Sequence, residues 1–302
     1  MFYSPLRYPG GKNKLSAFIA KICIDNNING HYVEPYSGGA SVALFLLFEG
    51  FVNKITLNDK DRSIYAFWYS VLNHTKELCD LIENSTFTVS EWRKQRNVQQ
   101  NKEEVGLLEL GFSTFYLNRT NRSGIINAGL IGGIEQNGNY LMDCRFNKKD
   151  LIERIMLIAS RKEDILLFNE DAIALIDIIQ EQAEDDNVIF YFDPPYYLKA
   201  SSLYMNHYED KNHELVSNKI KGITNIKWIV SYDNVPEINI LYDDCSKKEF
   251  SFKHTAYKSR VGQEILFFSP TILSPNIENW SPLKFKLHKK KNSKEIIYSD
   301  KK

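Results

Sequence analysis

Polar and apolar positions along this chain alternate between short apolar runs, which read as buried strands, and longer amphipathic runs, which read as helices. Asn13 is placed to cap a helix predicted over Lys14 to about Asp25. Tyr32-Val33-Glu34 follows as a strand, Ala40–Glu49 as a helix closed by Gly50, and Lys54–Leu57 as a second strand. The alternation resumes at Ile165–Phe168, with a helix from Asp171 to about Ala183, the strand Val188–Phe192, a helix ending at Gly222 and the strand Trp228–Val230. Two final strands, near Glu249–Phe252 and Glu264–Phe268, have no helix between them. This order predicts an α/β fold: a mostly parallel sheet with helices on both faces and an antiparallel last pair.

Between residues 63 and 154 the alternation stops. Helices are predicted over Ser63–Asn73, Ser90–Asn97 and Glu103–Leu117, followed by a Gly/Asn-rich stretch from Asn118 to Arg145. A separate helical insert is the simplest account. The chain then divides into a first part (1–62), the insert (63–154), a second part (155–280) and a lysine-rich tail (281–302) expected to be a mobile, solvated end.

Composition narrows the classes. The formal net charge is zero, so a nucleic-acid partner requires a local basic patch. Cys23, Cys79, Cys144 and Cys245 lie far apart without metal-ligand spacing, which predicts free, mostly buried thiols in a reducing cytoplasm. No apolar stretch approaches the ~20 residues of a membrane helix. Arg7 and the Pro-Gly pair after it argue against a signal peptide.

The richest chemistry lies at Asp193-Pro194-Pro195-Tyr196, which closes the strand Val188–Phe192. Carboxyl ends of strands are where open α/β sheets bind ligands. Two prolines fix the backbone and remove two donors, leaving carbonyl acceptors beside a carboxylate and an aromatic ring. That set suits a planar group bearing an amine, such as the edge of a nucleobase. Taken alone, it equally suits a strand ending in a proline turn with Tyr196 packed as core.

Three other stretches contribute. Tyr32-Val33-Glu34-Pro35-Tyr36-Ser37-Gly38-Gly39-Ala40-Ser41 is a strand running through glycines into a helix, without the G-x-G-x-x-G pyrophosphate fingerprint. Leu57-Asn58-Asp59-Lys60-Asp61 places an acid about 20 residues beyond that turn, a spacing at which it can accept ribose hydroxyls. Asp61 competes for this role and can equally cap the helix from Arg62. Arg7-Tyr8-Pro9-Gly10-Gly11-Lys12 is a sharp turn ahead of the first helix. A cation at a helix start opposes the dipole, so Lys12 is expected to face a ligand carboxylate or a carbonyl.

In this order, the four motifs resemble the DNA adenine-N6 methyltransferases of the Dam type, over residues from about 5 to 268. Phe115-Tyr116-Leu117-Asn118-Arg119-Thr120 also matches a string of that family. The resemblance implies a seven-stranded Rossmann-like class I methyltransferase sheet with an inserted target-recognition domain, S-adenosylmethionine as cofactor and no metal. It implies double-stranded DNA as partner and, for some members, a cognate restriction endonuclease. Carried over by position, it gives Tyr8, Lys12, Glu34, Pro35, Tyr36, Gly38, Asp59 and Asp193 to the cofactor. It gives Asp193, Pro194, Pro195 and Tyr196 to catalysis, with Tyr196 stacking on the base. One departure stands out: the last glycine of the family's turn is Ala40 here, compatible with a helix start if φ is negative.

DNA contacts are expected from Asn118, Arg119 and Arg122, and from Lys258 and Arg260 in the basic loop 247–260. Tyr204 and His207, in the loop after Tyr197, are placed to close over a flipped base. RNA guanine-N2 enzymes share Asp-Pro-Pro-Tyr but lack the long insert. A nicotinamide dehydrogenase lacks support without its glycine fingerprint. A non-catalytic DNA-binding protein on the same scaffold stays open.

Overall fold

The computed structural model describes residues 2–8, 12–183, 187–197, 209–254, 260–275, 281–290 and 293–298. A 3-10 turn, Lys12–Leu15, leads into α1 (Ser16–Asp25), β1 (His31–Glu34), α2 (Ser41–Phe48) and β2 (Lys54–Asn58). Helices α3 (Arg62–Asn73), α4 (Thr75–Glu83), α5 (Val89–Gln100) and α6 (Leu107–Thr120) follow, then a turn-rich stretch and α7 (Lys148–Ala159). The chain continues through β3 (Ile165–Phe168), α8 (Ala172–Gln182), β4 (Val188–Phe192), α9 (Asp210–Lys221), β5 (Lys227–Asp233) and α10 (Pro236–Leu241). It ends with β6 (Ser246–His254), β7 (Arg260–Phe268), β8 (Phe285–Lys290) and β9 (Ser293–Tyr298).

The main sheet has seven strands in the order β3-β2-β1-β4-β5-β7-β6. Neighbours are parallel from β3 to β5, and β7 is antiparallel to both β5 and β6. Successive side chains of a strand point to opposite faces, so each strand feeds two cores. Ile189, Tyr191, Ile229, Leu266 and Phe268 join α1, α2 and α3 on one face. Val188, Phe190, Phe192, Trp228, Val230 and Phe267 pack with α8 and α9 on the other. Burial on both faces explains why β4 reads as an unbroken apolar run.

Several expectations need correction. Asn13 lies inside the 3-10 turn, and no side chain caps α1. Ala40 precedes α2 with φ at 49°, the left-handed region, where negative φ was the condition for a smooth helix start. Residues 63–154 largely share the main core: Phe67, Trp68, Phe115 and Phe146 belong to the same cluster as Ile55, Leu57 and Ile189, and only a small cluster of Ala66, Val98 and Leu110 is their own. The tail is not a loose end. Residues 285–298 contain the antiparallel pair β8–β9, and Phe285 packs edge-on against Phe18 of α1. Of the cysteines, only Cys23 is buried, and Cys144 is exposed. Among the described residues, no helix is long and apolar enough to cross a membrane, and no cluster suits a metal ion.

Within the insert, α6 packs closely across α3. A Cβ added at Gly111 would lie 2.4 Å from Ser70 Oγ and 2.5 Å from the Ala66 carbonyl oxygen. Gly111→Ala must therefore separate two packed helices. Overpacking of this kind costs about 1–3 kcal/mol, enough to outweigh the roughly 1 kcal/mol gained in helix propensity. Urea unfolding should show a lower midpoint with an unchanged slope.

Candidate active site

The order of strands puts a topological switch point between β1 and β4. From β1 the chain crosses through α2 to β2 on one side; from β4 it crosses through α9 to β5 on the other. Ligand crevices form outside the carboxyl ends of such a pair. Residues 35–40 leave β1 there, and residues 193–196 leave β4.

Strand parity then gathers a polar cluster. Glu34 extends the row of Tyr32, Asp193 that of Ile189 and Tyr191, Ser231 that of Ile229, and Glu264 that of Leu266 and Phe268. All four continue rows that line the face covered by α1. Because β7 runs opposite to β5, its early residue Glu264 pairs with Asp233 at the same edge. The 3-10 turn brings Lys12 over this group.

Lys12 is 4% exposed. Its Nζ lies 2.9 Å from Asp193 Oδ1 and 3.8 Å from Glu264 Oε1, and it donates to the Tyr196 hydroxyl at 2.8 Å. Burial by itself would lower the Lys12 pKa. Asp193 and Glu264 more than offset that and hold the ammonium well above its ordinary value. The partners of Lys12 thus include three side chains of its own chain, Asp193, Glu264 and Tyr196.

Asp193 also accepts from Ser231 Oγ at 2.7 Å, again on Oδ1. Both bonds therefore fall on one oxygen, and Oδ2 carries none among the described residues. Ser231 is held in turn by the Tyr191 hydroxyl at 3.0 Å. Tyr196 donates its hydroxyl proton to Glu264 Oε1. The ring is 2% exposed, so the open aromatic face expected there is covered. The next residue, Tyr197, anchors its N–H on Asp233 at 3.0 Å.

The glycine turn is built with equal care. Gly38 has φ at +44°, and an added Cβ would meet the Tyr8 ring at 2.7 Å. Gly38 donates its N–H to Asp59 Oδ2 at 3.0 Å and accepts from the Trp68 indole at 2.9 Å. Asn58 fastens the turn from below, donating to the Pro35 carbonyl at 2.9 Å. Tyr36 packs toward the core on the other face of the sheet. Tyr8, Pro35, Gly38 and Asp59 thus lie in one neighbourhood. Asp61 takes the capping role, accepting from Ser63 N at 3.0 Å.

Two carboxyls here are poised near neutrality. Burial pushes Glu34 up from an ordinary 4.5 to about 8, against bonds from the Tyr32 hydroxyl and the Ala43 N–H. Burial, then the charge of Asp61, pushes Asp59 to about 7, although part of the residue still meets solvent. A raised acid binds its proton more tightly when folded. Its contribution to stability is complete below about pH 4.5 and is lost as pH rises through 8. Glu34→Gln removes that dependence. Between pH 5 and 8 the wild type should lose stability relative to this variant, by at most about 1.4 kcal/mol per pH unit, in paired urea titrations.

The residues expected on DNA separate into two groups. Asn118 is 2% exposed and bonds Arg7 N at 2.7 Å and the Arg7 and Gly124 carbonyls at 2.8 Å. Arg119 is 9% exposed and donates to the Pro5 and Arg145 carbonyls. Burial, with Arg7 and Arg154 nearby, pushes it down to about 9. Both are clamps on the chain ahead of Tyr8, which corrects their reading as phosphate contacts. Helix α6 is buried along its whole second half, so polarity there does not mean exposure. Arg122 is exposed. Lys258, Tyr204, His207 and the Pro9-Gly10-Gly11 turn lie outside the described residues. Arg260 opens β7, but its side chain also lies outside them.

Sequence reasoning missed Ser231, Glu264, Asn58 and Trp68. Glu264 alone carried a signal, as an acid heading the apolar run Ile265–Phe268.

The family described as D12 class N6 adenine-specific DNA methyltransferase matches residues 8–261. No curated protein matches. Among solved structures, a SAM-dependent methyltransferase from Agrobacterium tumefaciens aligns with TM-score 0.41 and 8% identity. That alignment covers 85% of this chain but only 61% of the Agrobacterium chain. An uncharacterized protein from Listeria monocytogenes serotype 4b gives TM-score 0.35 at 7% identity, over 86% of this chain and 70% of that one. The rRNA methyltransferase aviRa from Streptomyces viridochromogenes gives 0.34 at 10%, over 83% of both chains.

Proposed function

Because the chain belongs to the D12 class N6 adenine-specific DNA methyltransferase family, we propose that it transfers the methyl group of S-adenosylmethionine to N6 of adenine in double-stranded DNA. The observation that carries this reading is the one-sided hold on Asp193. Lys12 and Ser231 both grip Oδ1, which leaves Oδ2 without a partner among the described residues, a ready acceptor.

The amine of adenine is a weak nucleophile, because its lone pair is delocalised into the ring. Asp193 Oδ2 and the Pro194 carbonyl accept its two N–H bonds and draw the nitrogen toward tetrahedral geometry. The freed lone pair then points along the line of transfer. Positioning and preorganised electrostatics supply most of the acceleration. Pro195 keeps the backbone rigid, and stacking of Tyr196 on the base requires its ring, covered in this structure, to be exposed on binding.

The residues at the sheet edge fit the cofactor. Asp59 binds the Gly38 N–H of the glycine turn and Asp193 lies at the neighbouring strand end; carboxylates there suit a ligand with net positive charge. The cofactor supplies an electrophilic methyl group on a sulfonium. Asp59 accepts the ribose hydroxyls, Tyr8 and Tyr36 border the turn, and Pro35 and Gly38 shape it. Adenine cannot reach this edge from within a duplex, so it must be flipped out. Residues 63–154 read as the target-recognition segment, with Arg122 and the exposed Arg93 and Lys94 available to phosphates; Lys258 and Arg260 remain part of this reading.

The test is incubation with labelled S-adenosylmethionine and unmethylated duplex DNA, followed by digestion to nucleosides. Label in N6-methyldeoxyadenosine is the expected result. Label on another nucleoside, on RNA alone, or nowhere would overturn the proposal. Mapping the methylated adenines then gives the recognition sequence.

A further inference from the structure

We propose that Glu264 is a positioning residue for methyl transfer, acting through the hydroxyl of Tyr196; this rests on the reading of the site given above. Glu264 is 2% exposed and heads the apolar run Ile265–Phe268 of its strand. An unpaired carboxylate there would carry a heavy desolvation cost. Its partners are specific. Oε1 accepts the Tyr196 hydroxyl proton and lies 3.8 Å from Lys12 Nζ, while Lys12 donates to the same hydroxyl.

The Tyr196 oxygen therefore has both its donor and its acceptor capacity engaged. Lys12 lies 2.8 Å from that oxygen but 4.8 Å from the ring centre, so the ammonium sits at the hydroxyl edge and not over the middle of the ring. A tyrosine held by its hydroxyl can neither swing about χ1 nor slide along the strand end. With Pro194 and Pro195 fixing the backbone, the position of the ring is set by residues from three elements: the 3-10 turn, the end of β4 and the middle of β7. Asp193 shares Lys12 with this latch. The acceptor for the amine and the ring beside the base are thereby registered to one cation. Asp233, opposite Glu264 on β5, holds Tyr197 N and continues the same anchoring by one residue.

Four variants test this: Glu264→Ala, Glu264→Gln, Tyr196→Phe and the double variant Glu264→Gln/Tyr196→Phe. Glu264→Gln is nearly isosteric and keeps an acceptor for the hydroxyl, so it remains informative if the alanine variant does not fold. With unmethylated duplex DNA, Glu264→Ala should lower kcat between about tenfold and 10²-fold, as expected for a misplaced reacting geometry. Glu264→Gln should recover part of that loss. KM for S-adenosylmethionine should change less than twofold. In the Tyr196→Phe background the glutamine substitution should have no further effect on kcat. A multiplicative loss in that background, or wild-type kcat in Glu264→Ala, would overturn the proposal. A readout independent of activity is the nuclear magnetic resonance signal of Tyr196 in protein isotopically labelled at the tyrosine Cζ, identified by its absence in Tyr196→Phe. That signal should move in Glu264→Gln; if it does not, the latch is wrong even with an active enzyme. Failure of the wild type to methylate DNA, with the signal moving as expected, strikes the function proposed above and leaves the latch standing.

Discussion

Asp193→Ala should lower methyl transfer by on the order of 10²-fold or more, the typical cost of losing a preorganised hydrogen-bond partner to the reacting group. The structure sharpens what else should change. Asp193 is held through Oδ1 by Lys12 and Ser231, so its removal frees both of those groups. Lys12 keeps Glu264 and the Tyr196 hydroxyl, so the ammonium is not stranded and the fold should survive. Cofactor affinity, measured by calorimetry without DNA, should fall only modestly. A variant that binds S-adenosylmethionine normally and turns over at the wild-type rate would remove Asp193 from the mechanism.

Lys12→Met should be the more damaging change to the protein itself. It deletes the positive charge shared by Asp193 and Glu264. Breaking a buried pair by removing one partner commonly costs about 3–5 kcal/mol, because the remaining charge is left uncompensated. The site can respond by taking up a proton. That proton quenches an acceptor for the amine or loosens the hold on Tyr196. The expected outcome is a lower thermal midpoint together with a loss of activity that deepens as pH falls. Wild-type stability would mean that Lys12 is not the hub of the cluster.

How far the sequence revealed the fold depended on what each segment buries. β1 to β5 were legible because parallel strands covered on both faces show as apolar runs. α4 escaped notice because, over Thr75–Glu83, only Leu78 and Ile82 are buried and the rest reads as loop. The β8–β9 hairpin hid behind its lysines, although Phe285 and Ile296 are buried on the core side.

In the site, Glu34, Asp59 and Asp193 were legible because each lies at or just beyond the end of a strand. Ser231 and Glu264 were not, because their role depends on β5 and β7 lying beside β4, and strand order is not written in the local pattern. Asn118 and Arg119 were misread for the opposite reason. Their polarity suggests solvent, yet it satisfies main-chain groups of the segment that carries Tyr8.

That last arrangement bears on how such an enzyme can be re-engineered. Trp68 of α3 donates to the Gly38 carbonyl, Asn118 of α6 grips Arg7, and Gly124 sits so close to the Arg7 carbonyl that an added Cβ would lie 2.2 Å from it. The segment that would choose the DNA sequence is thus bolted to the turns that would hold the cofactor. Residues 63–154 are not a cassette to be exchanged whole between relatives, since a graft at those borders would bring foreign bolts to a native turn. Transplants of specificity have to be cut inside the clamps, within the turn-rich stretch between Gly124 and Arg145, and have to keep Ile126, Leu130 and Met142, which are buried.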